Sequence, residues 1–70
     1  MKLKEAVDLA KKFTIDYGNY YNPRLINVKK KQNRWCITFE VGEIITDEIV
    51  ITVDDESKEI IGYEIISEEE

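Results

Sequence analysis

The alternation between residues 34 and 41 constrains this chain more than any other stretch. It reads Arg34-Trp35-Cys36-Ile37-Thr38-Phe39-Glu40-Val41. Successive side chains on a strand point to opposite faces, so Trp35, Ile37, Phe39 and Val41 share one side and Cys36, Thr38 and Glu40 the other. Trp and Phe offer the largest apolar surfaces of any side chains. In a chain of 70 residues their burial outweighs most other single contributions. This stretch is expected to be a central strand and the floor of the core.

The length implies one domain, residues 1–70, with a core of modest size that needs support from elsewhere. The single cysteine excludes an intramolecular disulfide. With no histidine and no second cysteine, no structural zinc is expected, and no cofactor or small-molecule ligand is inferred. Support must come from a sheet rich in Ile and Val, or from a partner chain.

Residues 2–16 carry Leu3, Ala6, Val7, Ala10 and Phe13 at helical spacing, with Leu9 at the margin of the stripe. Lys4, Glu5, Asp8, Lys11 and Lys12 fill the other side. Gly18 and Asn19 tolerate positive φ and should end the helix. Residues 16–23 then gather Tyr17, Tyr20 and Tyr21 ahead of Pro23. Such tyrosines either line a binding surface or cover the end of a small core with their hydroxyls in water. Tyr20 and Tyr21 are accordingly candidate interaction residues.

Further strands are predicted at residues 25–30, 48–53 and 59–66. Gln32-Asn33 is a tight turn, and residues 54–58 form a polar turn. Gly42 breaks the central strand, and Ile44 and Ile45 are expected to fold back on the core or to extend a strand. Residues 67–70 should fray. The fold class is therefore α+β: an N-terminal helix packed on one face of a four-stranded antiparallel meander, αββββ, in two layers. The core face takes Ile26, Val28, Ile61, Tyr63 and Ile65. The other face is mixed, and Leu25, Val50, Ile60 and Ile66 are expected to form an exposed apolar patch there, a contact site for a protein partner or a second copy.

Charge is divided along the chain. Residues 1–34 hold nine Lys/Arg against three Asp/Glu, whereas residues 35–70 hold one Lys against twelve Asp/Glu. This division either orients a partner, favours head-to-tail self-contact, or reflects two solvated ends that meet in the fold. Lys29, Lys30, Lys31 and Arg34 make a basic patch, with Lys11, Lys12 and Arg24 as possible neighbours. The patch raises nucleic-acid binding as an alternative, which the acidic second half opposes. No membrane partner is expected, since the apolar stretches are short and interrupted by charge. The expected location is the cytoplasm. The richness in Ile, Lys and Glu is compatible with a thermophilic source.

Catalysis wants a positioned base, nucleophile or metal. Without histidine, Ser/His and Cys/His pairs are impossible. Cys36 reads as a half-buried structural thiol. Glu40 and Glu43 are the carboxylates nearest to aromatic and apolar residues, and an acid role would require burial of one of them. Residues 54–57 lack the ligand alternation and glycine of a calcium loop. The chain is not expected to be an enzyme.

Taken together, these residues resemble a PepSY domain. The helix start Lys4-Glu5-Ala6-Val7-Asp8-Leu9-Ala10 is followed by a short strand with Ile26 and Val28. An aromatic-led strand from Trp35 comes next, then a run from Ile51 to Tyr63. The resemblance implies a noncatalytic module with a regulatory or inhibitory role. The back half is also similar to gas vesicle protein O sequences, through the spacing of Trp35, Glu40 and Glu43 and the run from Ile49 to Tyr63. That likeness implies an accessory assembly protein.

Overall fold

The computed structural model describes residues 1–67; Glu68, Glu69 and Glu70, expected to fray, lie outside the described residues. Helix α1 (Leu3–Gly18) is followed by strands β1 (Arg24–Lys31), β2 (Arg34–Val41), β3 (Asp47–Asp54) and β4 (Ile60–Ser67). The strands form one sheet in the order β1-β2-β3-β4, and each neighbouring pair is antiparallel. The expected αββββ, two-layer architecture is the one observed. Ser67, also expected to fray, is paired through its backbone with Asp47 at the end of β4.

The helix seats on the sheet through its smallest residues. Ala6, Ala10 and Thr14 lie one turn apart and are wholly buried. Short side chains at that line let the helix backbone approach β2 and β3, the two strands it packs on. Thr14 avoids an unpaired buried hydroxyl by donating to the Ala10 carbonyl at 2.9 Å. Val7, Leu9 and Phe13 are half-buried and flank this line. Leu3, expected in the stripe, is exposed, and Met1 packs against the core at this end. At the other end Asn19 adopts φ 61° and terminates the helix where the Gly18-Asn19 pair was expected to.

Trp35, Ile37, Phe39 and Val41 of β2 and Ile49, Ile51 and Val53 of β3 form the floor beneath α1. The β2 stretch thus occupies the central, floor-forming position expected of it. At about 1.5–3 kcal/mol for each large side chain removed from water, this floor supplies most of the drive to fold. Trp35 keeps its indole N–H satisfied by donating to Asp55 Oδ1 at 2.8 Å. Lys30 lies over its ring, with Nζ 5.2 Å from the centroid.

Two register shifts reassign side chains to faces. In β1 an extra residue at Ile26 places Leu25 opposite Phe39 and Asn27 opposite Thr38. In β4 an extra residue at Ile61 places Ile60 opposite Val53 and Gly62 opposite Thr52. One inserted residue flips the parity of everything beyond it. Leu25 and Ile60, expected on the open face, therefore belong to the helix side, where Ile60 packs against the core. The four-residue patch expected on the open face does not form, and only Val50 and Ile66 remain there.

The loop of residues 42–46 also departs from expectation. Gly42 has φ +99°, and a Cβ on it would lie 2.4 Å from the Ile45 carbonyl oxygen, so only glycine fits this turn. The turn throws Ile44 and Ile45 outward: they are 95% and 80% exposed and neither fold back on the core nor extend a strand.

Candidate interaction surface

An α-helix is about 10 Å across, and strands lie about 4.8 Å apart, so a single helix roofs about two strands. Here it roofs β2 and β3. The helix-side residues of β1 and β4 lie beyond its cover, and the two edge strands fill that position differently.

On β1 the uncovered stretch is short and quickly becomes charged. Leu25 and Ile26 are half-exposed at one end, Val28 tucks against the core, and Lys30 closes the row by lying over Trp35. Lys29 and Lys31 project from the opposite face of the same strand. Lysines and a bulge are the devices by which natural sheets stop an edge from pairing with another chain.

On β4 the helix side carries Ile60, half-buried against the core, and then Tyr63 and Ile65, 60% and 47% exposed; the bulged Ile61, with no partner on β3, is exposed beside them. The strand carries no lysine, arginine or proline and one carboxylate, Glu64. Its only protective device is the bulge near its start. The α1 flank beside it is apolar too. The Phe13 ring lies 5.4 Å from that of Tyr63 and 5.0 Å from that of Tyr17. A cleft of about 210 Å³ opens between Phe13, Tyr17, Tyr20, Ile49, Tyr63 and Ile65. A second, of about 150 Å³, continues it between Leu9, Lys12, Phe13, Asp16, Tyr17 and Ile60. The result is a trench of aromatic and aliphatic side chains, edged by tyrosines and by Lys12 and Asp16, floored by β4 and walled by α1.

The structure disperses the other candidate residues. Tyr20 packs on the core, its ring beneath Gly18, while Tyr21 stands 85% exposed near the start of β1. The basic cluster is divided by strand alternation. Lys29, Lys31 and Arg34 stay on the open face, with Arg34 opposite Asp54, whereas Lys30 points to the helix side, 3.9 Å from Asp55. Lys11 and Lys12 belong to the other layer, where Lys12 pairs with Asp16 at 3.4 Å. Arg24, at the far end of β1, pairs with Glu40 at 3.0 Å. The larger basic patch is thus not assembled.

Glu40, held by Arg24, and Glu43, exposed in the 42–46 loop, do not share a cleft. Cys36 is half-buried between Lys29 and Thr52. Asp54 and Asp55 are held below the ordinary carboxylate range. For Asp54 the main cause is the Ser57 backbone N–H, donated to its carboxylate at 2.7 Å. For Asp55 it is the Trp35 indole N–H, followed by the charges of Lys30 and the Met1 amine. These aspartates build the turn and latch it to β2; Asp55 N–H also donates to the Asn33 carbonyl at 2.7 Å. Among the described residues, no cluster of carboxylates and thiols is placed to hold a metal ion, and no helix is long and apolar enough to cross a membrane.

Tyr63 and Ile65 were legible as core-side residues, but not as exposed ones; Ile61, expected beside them, is the bulged residue, and Ile60 takes the core-side position. The signal was nevertheless present in the element count: one helix cannot roof four strands. No family model, curated protein or solved structure matches the chain, so its function is argued from these side chains alone.

Proposed function

We infer that this chain is a noncatalytic protein-interaction module whose contact surface is the β4 edge and the trench beside it. The observation that carries this reading is the coincidence of two features on one strand: a backbone edge guarded only by a bulge, and three apolar side chains, Ile61, Tyr63 and Ile65, that α1 leaves about half-exposed or more. Strand addition uses such a site by taking main-chain hydrogen bonds for affinity and alternate side chains for specificity. The PepSY resemblance adds a regulatory or inhibitory role to the proposal. The free Cys36 thiol suits a reducing compartment such as the cytoplasm.

The test is capture from extracts of the source cells with three forms of the chain: wild type, an Ile61→Lys/Ile65→Lys variant, and a Lys29→Glu/Lys31→Glu variant. Proteins retained by the wild type, the chain's own cellular copies included, should be lost with the β4 variant and kept with the β1 variant. Equal retention by the β4 variant and the wild type would contradict the reading.

A further inference from the structure

We propose that the occupant of the β4 edge is the β4 strand of a second copy, in an antiparallel register centred on Tyr63. The proposal rests on the β4-edge reading above and names its partner.

The sequence of β4 is complementary to itself in that register. Pairing Tyr63 with Tyr63 of a second copy sets Ile61 opposite Ile65, Ile65 opposite Ile61, and Gly62 opposite Glu64. Aromatic and aliphatic cross-strand pairs are favourable, and like charges directly opposite are not. Centring on Glu64 would oppose two carboxylates, and centring on Gly62 would set Ile60 against Glu64. The Tyr63 register avoids both, and it brings the one charged side chain of the strand against the one residue without a side chain.

The geometry beyond the strand agrees. A dyad perpendicular to the sheet joins two four-stranded sheets into one of eight strands, with both helices on the same face. Each helix sits over β2 and β3, so the two axes lie about four strand spacings apart, roughly 19 Å. Subtracting one helix diameter of about 10–12 Å leaves a channel of about 8 Å. Its floor is the Ile60, Tyr63 and Ile65 side chains of both copies, and its walls are Phe13 and Tyr17. The trench that is open in one copy becomes the centre of the pair.

Charge distinguishes this arrangement from the head-to-tail one. Each copy carries a net charge of −5. A β4–β4 dimer is held by apolar contacts and backbone bonds against that repulsion, so added salt strengthens it. Pairing of β4, with its one carboxylate Glu64, with the lysine-rich β1 edge of the next copy would weaken with salt and would not close.

Sedimentation of the purified chain over a range of protein and salt concentrations tests this. The expected result is a monomer–dimer equilibrium that tightens with salt. The Ile61→Lys/Ile65→Lys variant, confirmed as folded by circular dichroism, should associate roughly tenfold more weakly or worse. A Tyr63→Cys variant in a Cys36→Ser background should form disulfide dimers under oxidation, and a Glu64→Cys variant in the same background should not. A wild type that stays monomeric throughout would overturn the proposal; β4-dependent capture of another protein would then leave the interaction reading standing. A dimer undisturbed by the lysine substitutions would overturn both. Salt-weakened, open-ended assembly, or cross-linking through residue 64 in place of 63, would overturn the register.

Discussion

The two edges of this sheet border the same core yet present opposite surfaces. β1 ends in Lys29-Lys30-Lys31, places one of these over Trp35, and projects the other two from the open face. β4 presents Ile61, Tyr63 and Ile65 beside a bare backbone. Both have a bulge, so the bulge alone does not account for the difference. What separates them is the residue type placed where the single helix runs out of cover. Lysine solvates that position and repels a second strand; isoleucine and tyrosine leave it to be filled. An edge strand is a hazard that sequences act against. This sequence sets lysines and a bulge against pairing at one edge and a bulge alone at the other.

The comparison presumes that both edges depend on one core. Phe39→Ala tests that presumption and carries the largest expected effect: loss of about 3–5 kcal/mol in urea unfolding, with one transition for the whole chain. Separate transitions for the two halves of the sheet would break the comparison at its base.

Next in size is a contrast between glycines. Gly42→Ala places a methyl against the Ile45 carbonyl at positive φ and should cost about 1–3 kcal/mol. Gly62 lies in β4 with open space around its Cβ position, so Gly62→Ala should change stability by less than about 1 kcal/mol. Equal losses would mean that β4 is more closely packed than described.

Making the two edges alike should make them behave alike. In a Lys29→Thr/Lys30→Ile/Lys31→Thr variant, β1 loses its lysines on both faces, and light scattering should detect oligomers larger than those of the wild type. No change would show that the lysines are not what protects β1.

The smallest effect is that of pH. Asp54 and Asp55 titrate below their ordinary value of 3.8 in the folded chain. Between the folded and unfolded values the unfolded chain binds more protons, so stability rises with pH there. The contribution of these aspartates is complete above the unfolded value and is lost as pH falls through the folded ones. Thermal melts from pH 6 down to pH 2 should show a steeper loss in the wild type than in Asp55→Asn. Parallel curves would remove Asp55 from the account of the turn.

Much of the fold was legible because alternation and helical spacing are strong signals. The β2 strand was bounded to the residue, and the others to within one or two. The misassigned residues share a local cause. Leu25-Ile26, Ile44-Ile45 and Ile60-Ile61 are apolar doublets, and a doublet carries no alternation. It fits a bulge, a flipped register or an exposed turn equally well. Two of these doublets became bulges and one became a loop tip, and the expected open-face patch dissolved with them. The basic cluster keeps Lys29, Lys31 and Arg34 on one face and loses Lys30 for the opposite reason. Three consecutive lysines look like one patch in sequence, but a strand sends the middle one to the other face. The trench beside β4 lay outside any motif, since it arises from the width of a helix measured against the width of a sheet.

Amide hydrogen exchange, followed residue by residue as protein concentration rises, tests the central claim most directly. The amides of β4 that do not pair with β3 should exchange quickly in dilute solution and slow markedly as the chain is concentrated. Those on the outer edge of β1 should exchange quickly throughout. Outer β4 amides that stay as fast as those of β1 at every concentration would contradict the account.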